Sequence, residues 1–277
     1  MMTVKQRYAL RTGVRLAAAV AVTALFLFPI YWLFMISFKT PEEIYSFPPK
    51  WYPGRIHFDN YAVLFKDGDA ITVWNSFVVA GVSTVIAMFL GTIGAYSLAR
   101  FRTGGEHLAN WIISQRMIPP IAVVFPIFLL YVWLRLVDTY IGVILLYTAF
   151  NLPYVIWMMR GYILDIPRAL EESALVDGCT RWQVIWKVVF PMCRAGLFAT
   201  AIFTFVFAWN DFIFALVLTR TEVATYTVQV THYFGGQSNF WAKISAMSVL
   251  GTVPIFIAVA FMQRYLVRGI SLGAVKG

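Results

Sequence analysis

The sequence predicts an all-α membrane protein with six transmembrane helices. Three observations carry that prediction: the composition, the recurrence of long apolar runs and the placement of the charges. Of 277 residues, 60% are hydrophobic and 13% charged, with mean hydropathy +0.73; ordinary soluble domains carry about 25% charged residues. Apolar runs of roughly 20 residues recur, the length a helix needs to cross a hydrocarbon core about 30 Å thick.

Taken in order, the runs place spans at about 16–38, 71–99, 107–134, 140–162, 194–219 and 243–264. The first follows a basic stretch, but it is too long for a signal peptide and no small-residue cleavage site follows, so it reads as a retained span. An even number of spans puts both termini on one side, and Lys/Arg bias selects the side. With both termini cytoplasmic, 14 of the 22 Lys and Arg lie inside, 7 lie outside, and Arg116 falls within a span. The whole formal charge of +9 then sits on the inner face. Topology and anionic lipid account for it, and no nucleic-acid partner is needed.

The resulting organisation is a cytoplasmic N-terminus at 1–15, a six-helix domain at 16–264 and a cytoplasmic tail at 265–277. The outer loop 39–70 carries Pro41, Pro48, Pro49 and Pro53 among aromatics, which suits an ordered loop or a docking surface. The outer loop 220–242 carries Gly235–Gly236 and reads as either a connector or a docking element. Cys179 and Cys193 are expected to be free thiols, packed as small apolar side chains. No His, Cys and carboxylate group has metal-ligand spacing, and no nucleophile–base set falls on one face, so neither catalytic nor metal residues are expected. The phosphate loop G-x-x-x-x-G-K-[ST] is absent from the sequence.

The segment 163–193 is too polar to span and too patterned for a linker. Pro167 suits a first helical turn, and Arg168–Val176 are good helix formers. Asp177–Gly178 reads as a turn. Thr180 and Gln183 fit a capping box that restarts a helix, and Trp182, Ile185, Trp186 and Val189 follow at helical spacing before Pro191 closes the unit. Two short helices at a Gly elbow result, with Glu171 and Glu172 on the first and an apolar stripe on the second. A helix pair lying on lipid is the alternative, but acids facing an anionic surface disfavour it; a knob fitting a groove in a soluble partner is the sharper reading.

Polar groups inside spans are expensive and are functional candidates. Gln115 and Arg116 precede Met117-Ile118-Pro119-Pro120 in the third span; Asn151 and Pro153 interrupt the fourth; Trp209, Asn210 and Asp211 fall in the fifth. A planar Arg donor, an Asn amide and a Trp face suit hydroxyl-rich ligands. Arg116 and Asp211 could instead pair with each other; an unpaired Arg116 would point to an anionic sugar derivative.

Glu172-Ser173-Ala174-x-x-Asp177-Gly178, followed by Val188-x-Phe190-Pro191, resembles the EAA motif of binding-protein-dependent ABC importer permeases. The register fits, with Ser173, Val188 and Phe190 replacing the motif's Ala, Ile and Leu. Phe207-Ala208-Trp209-Asn210-Asp211 and the tail from Gln263 to Gly277 are similar to the carbohydrate-uptake class, in particular its maltose-system-like six-span subunit. The resemblance implies a non-catalytic permease subunit of the bacterial inner membrane, importing a sugar, oligosaccharide, polyol or sugar derivative. It implies a coupling loop made of Glu171, Glu172, Ala174, Asp177, Gly178, Trp182 and Pro191, with Glu172 meeting a basic side chain of an ATPase. It implies as partners a dimer of ATP-binding subunits, a second homologous permease, an extracytoplasmic solute-binding protein and lipid, with ATP and Mg on the partner ATPase, no cofactor on this chain, and the C-terminal tail reaching the ATPase interface. A secondary transporter or channel is the alternative; it would want repeat symmetry and acidic coupling residues at midplane, of which Asp211 alone is available.

Overall fold

The computed structural model describes residues 4–234 and 240–273, and every regular element among them is helical. Gly235–Gly236 and the end of the tail, 274–277, lie outside the described residues. The chain divides into two compact units, Met1–Ala70 with His232–Leu250, and Ile71–Thr231 with Gly251–Gly277.

In the first unit, α1 runs Val4–Ser37, so the helix begins well before position 16, where the apolar run starts. Short helices α2 (Pro41–Ile44) and α3 (Asp59–Lys66) follow. The loop around them is held by specific bonds. Thr40 and Glu43 form a capping box, Glu43 Oε1 accepts from the Gly54 N–H at 2.8 Å, and the Asn60 amide donates to the Ser37 and Lys39 carbonyls. Trp51 stands edge-on to Trp32 with centroids 5.7 Å apart.

The second unit begins with α4 (Ile71–Phe101). Next come α5 (Gly105–Ser114), a 3₁₀ turn at Gln115–Met117, and α6 (Pro120–Trp133). Helix α7 spans Tyr140–Leu164 and α8 spans Arg168–Val176. One helical run then comprises α9 (Arg181–Val184), a π turn at Ile185–Val189 and α10 (Phe190–Met192). Helices α11 (Arg194–Trp209), α12 (Ile213–Leu218) and α13 (Tyr226–His232) precede α14 (Phe240–Gly273), which continues well past the expected end of the last span at 264.

Among the described residues, four stretches are long and apolar enough to cross a membrane as single helices: Arg11–Ser37, Ile71–Phe101, Tyr140–Leu164 and Trp241–Phe261. Two helix pairs are long and apolar enough only when taken together, each bent at a short break: Gly105–Met117 with Pro120–Trp133 at 91° and Arg181–Met192 with Arg194–Trp209 at 81°. Six spans therefore require counting each bent pair once, and the third and fifth are not the continuous helices the apolar runs suggested. In the third, Pro119 and Pro120 remove consecutive amide donors, and Ile118 before them is pushed to an extended ψ of 122°. In the fifth, the run 194–219 breaks at Asn210–Phe212 because side chains compete with the backbone. Asn210 Nδ2 donates to the Val206 carbonyl, and the Asp211 carboxylate accepts the Ala215 N–H. Left alone, α11 has 16 residues, about 24 Å at 1.5 Å per residue and short of a full crossing.

Helices α4, α7 and α11 pack together at the centre of this unit. Gly91 permits the approach of α4 to α7: a Cβ there would collide with Val155, which is fully buried. Small residues at such contacts are the usual device where lipid removes the hydrophobic drive between helices. Two apolar clusters result. One joins the starts of α4 and α7 to α6, α12 and the end of α11; the other joins the opposite ends of α4 and α7 to the segment 174–193.

Candidate functional site

The segment 163–193 folds as two arms at an elbow. Helix α8 ends in a Schellman arrangement, with the Gly178 N–H on the Leu175 carbonyl at 3.1 Å and the Cys179 N–H on the Ala174 carbonyl at 3.0 Å. Gly178 has φ +86°, a conformation that suits glycine. Thr180 and Gln183 then close a reciprocal capping box that opens α9 at once. Pro191 does not end the unit. The helix widens into the π turn before it, which accommodates a proline ring that would otherwise meet the carbonyl four residues back; the run continues to Met192 and the chain bends at Cys193.

The stripe on the second arm divides. Val184, Ile185 and Val189 are buried in the second cluster, whereas Trp182 and Trp186 are exposed. Trp186 and Pro191 line an apolar groove with Val85, Met88, Phe89 and Leu197. The two neighbouring acids also part company. Glu172 and Asp177 face outward beside Gly178, and Ala174 packs against the cluster. Glu171 is 4% exposed and turns inward. Its Oε1 lies 2.6 Å from the Arg100 guanidinium, its Oε2 accepts from the Tyr96 hydroxyl at 2.9 Å, and Arg100 also donates to the Ile166 carbonyl at 2.9 Å. A buried charge is tolerable only when it is paired and hydrogen-bonded in this way. The Arg100 and Tyr96 contacts escape sequence reading because more than 70 residues separate them from Glu171.

Near the break in the third span lies a cavity of about 210 Å³ lined by Arg116, Ile118, Pro120, Tyr147, Phe150, Asn151, Phe207, Ala208, Asp211 and Phe214. Arg116 Nη1 donates to the Phe150 carbonyl at 2.8 Å and to Asn151 Oδ1 at 3.2 Å, and the guanidinium lies 4.8 Å from the Phe207 ring centroid. The Asn151 amide in turn donates to the Tyr147 carbonyl. Asp211 Oδ1 accepts from the Tyr147 hydroxyl at 3.0 Å and the Ala215 N–H at 3.3 Å. Among the described residues Arg116 and Asp211 form no ion pair. Both reach the cavity because the helices carrying them are broken there.

Of the six polar positions singled out in the spans, the cavity unites Arg116, Asn151 and Asp211. Gln115 lines a separate pocket with Val123, Pro126 and Pro153. Trp209 is 1% exposed and spends its indole N–H on the Gly251 carbonyl at 2.9 Å, so its face is a packing surface and not a ligand platform. Asn210 is exposed and caps α11. Tyr147 is the residue sequence reading missed; it sits one helical turn before Asn151, the spacing that could have found it.

At the other end of α4 from Arg100, a polar tie holds the segment after α12. The Tyr140 hydroxyl donates to Asn75 Oδ1, whose amide donates to the Ala224 carbonyl. Asp138, in the turn between α6 and α7, accepts four consecutive backbone N–H groups, from Arg220 to Val223, at 2.9–3.2 Å. Burial works against its charged form, but these donors outweigh burial and hold the carboxyl below its ordinary range.

Comparison with known proteins places the chain among transport proteins. A family described as "Binding-protein-dependent transport system inner membrane component" matches residues 83–272. The trehalose transport system permease protein SugB of Mycobacterium tuberculosis (strain CDC 1551 / Oshkosh) is 37% identical over 259 residues, covering 91% of this chain and 93% of that protein. The sulfoquinovosyl glycerol transport system permease protein SmoH of Agrobacterium fabrum is 34% identical, covering 91% and 89%. A chain from the crystal structure of a bacterial ABC transporter involved in import of the acidic polysaccharide alginate superposes with TM-score 0.78 at 23% identity, over 96% of this chain and 99% of that one; at that identity the likeness speaks to fold.

Proposed function

Because the chain belongs to the family of binding-protein-dependent transport system inner membrane components, we propose that it is the permease subunit of an ATP-driven importer of a sugar, oligosaccharide, polyol or sugar derivative. It is a multi-pass protein of the inner membrane. In this reading both termini face the cytoplasm, six spans cross the membrane, and 163–193 is the cytoplasmic coupling loop. The chain performs no catalysis. ATP and Mg bind a dimer of partner ATPases, a second homologous permease completes the pathway, and an extracytoplasmic binding protein delivers the solute. The relatives' names support the carbohydrate class, and they leave the secondary-transporter alternative without support.

The observation that carries the coupling role is the contrast between Glu171 and Glu172. Glu171 locks α8 onto α4 through Arg100, while Glu172, Asp177 and the Gly178 elbow protrude. A protruding knob on a rigid base transmits a displacement as a rigid body, which a flexible tether cannot do. ATP-driven closure of the partner ATPases then moves α8 and, through the ion pair, α4.

The test is co-purification and coupled ATPase activity. Glu172→Lys reverses the charge offered to the partner. Gly178→Pro forbids the φ of +86° that the elbow requires. Each is expected to detach or uncouple the ATPase while the membrane fold persists. A variant that co-purifies with its ATPase and transports at the wild-type rate overturns the docking role.

A further inference from the structure

An arginine inside a membrane span by itself points to an anionic cargo. The cavity around Arg116 holds that inference in check, because Asp211 lines the same space. The two formal charges balance, yet they do not neutralise each other by contact. Each is held by neutral partners: Arg116 by the Phe150 carbonyl and Asn151, Asp211 by Tyr147 and the Ala215 N–H.

Each group keeps unused capacity. A guanidinium carries five N–H donors, and only Nη1 of Arg116 is bonded among the described residues, leaving Nη2 and Nε. On Asp211 the Tyr147 hydroxyl and the Ala215 N–H both meet Oδ1, and the Phe214 N–H also faces the carboxylate, so three donors leave part of its roughly four lone-pair sites toward the cavity. The cavity therefore offers donors and an acceptor in a wall that Phe150, Phe207 and Phe214 also line, Phe207 beneath the Arg116 guanidinium and Phe150 packed on Phe214. Its volume, about 210 Å³, falls below the roughly 300–1,000 Å³ of pockets for drug-sized ligands.

We infer that this cavity is a subsite for one neutral, hydroxyl-rich unit, a single sugar ring or a short polyol. One hydroxyl accepts from Arg116, a neighbouring hydroxyl donates to Asp211, and the C–H groups of the unit meet the phenylalanine side chains that line the cavity. An acidic sugar is rejected, because a carboxylate drawn to Arg116 is brought against the Asp211 charge. The inference rests on the importer reading above and narrows it: this chain handles neutral cargo, or a neutral unit of a larger one.

The test measures binding of sorbitol, methyl α-glucoside and glucuronate, three probes of similar size, to the full-length chain with its co-purifying subunits in lipid nanodiscs, by saturation-transfer NMR and titration. In the wild type, both neutral probes are expected to bind and glucuronate to bind at least about tenfold more weakly. Asp211→Asn is expected to weaken the neutral probes and strengthen glucuronate, so that the preference inverts; a gain of binding also reports a folded variant. Arg116→Gln is expected to lose neutral probes without gaining glucuronate. Glucuronate binding the wild type as well as sorbitol does, or neutral probes binding all three proteins equally, overturns the subsite. ATP- and binding-protein-dependent uptake is measured after the same purified complex is reconstituted into sealed liposomes. Its absence with neutral binding intact would remove the importer reading and leave the subsite standing.

Discussion

Arg100 and Glu171 meet at 2.6 Å where the end of α4 receives α8, while Arg116 and Asp211 line one cavity and form no ion pair among the described residues. Both are Arg–acid pairs within the second unit, joining elements distant in sequence. The first is closed: Tyr96 and the Ile166 carbonyl satisfy what the ion pair leaves over, and the ions are 7% and 5% exposed. The second is open: neutral groups hold each charge apart from the other and leave hydrogen-bonding capacity toward a cavity. A closed pair fastens one helix to another, and an open pair can accept a guest between its members. Residue type does not separate the two; the helix breaks at Pro119 and at Asn210–Phe212 do, by setting the charges at the rim of a cavity and not at a helix crossing.

The comparison breaks first at the closed pair. Glu171→Ala or Arg100→Ala leaves an uncompensated buried charge, which costs about 3–5 kcal/mol. Thermal unfolding in nanodiscs should show this loss, and the charge swap Arg100→Glu with Glu171→Arg should recover part of it. Single variants as stable as the wild type would mean that the pair fastens nothing.

At the open pair the expectation is different in kind. Arg116→Ala is expected to lower uptake several-fold while assembly with the ATPase and the unfolding temperature change little, because Arg116 bonds only one carbonyl and one amide. Loss of assembly in this variant would make the open pair a second fastening and erase the contrast.

The smallest effect belongs to Asp138, an acid satisfied wholly by backbone donors. Its folded pKa lies below the ordinary carboxylate value, so its contribution to stability is complete above that value and is lost as pH falls through the folded pKa. Asp138→Asn should therefore cost on the order of 1 kcal/mol at neutral pH, discounted for solvent screening. The difference from wild type should shrink toward zero under acid, as read from unfolding midpoints across pH. A pH-independent difference would assign the effect to packing.

Much of the segment 163–193 was legible because its determinants are local. The Asp177–Gly178 turn and the Thr180–Gln183 box act over a few residues, and each forms with the geometry its spacing implies; Pro167 falls one place earlier than a first helical turn, at the N-cap with an extended ψ of 127°. The division of Glu171 from Glu172 was not legible, since adjacent helical positions differ by about 100° in direction and only α4 determines which one turns inward. The same holds for Trp209 and Asn210. Their polarity marked them, but the Gly251 carbonyl claims the first and the end of α11 claims the second.

The sequence by itself determined that this chain lives in a membrane, roughly where it crosses, and that a helix–elbow–helix interrupts the crossings. Those features follow from transfer free energy, charge bias and turn chemistry, which act over short stretches of chain. Tertiary structure decided which charges pair, which aromatics are spent on packing, and where Arg116, Asn151 and Asp211 come together. These depend on helix breaks and on partners more than 30 residues apart, and no local pattern records which face of a helix its distant neighbour will cover.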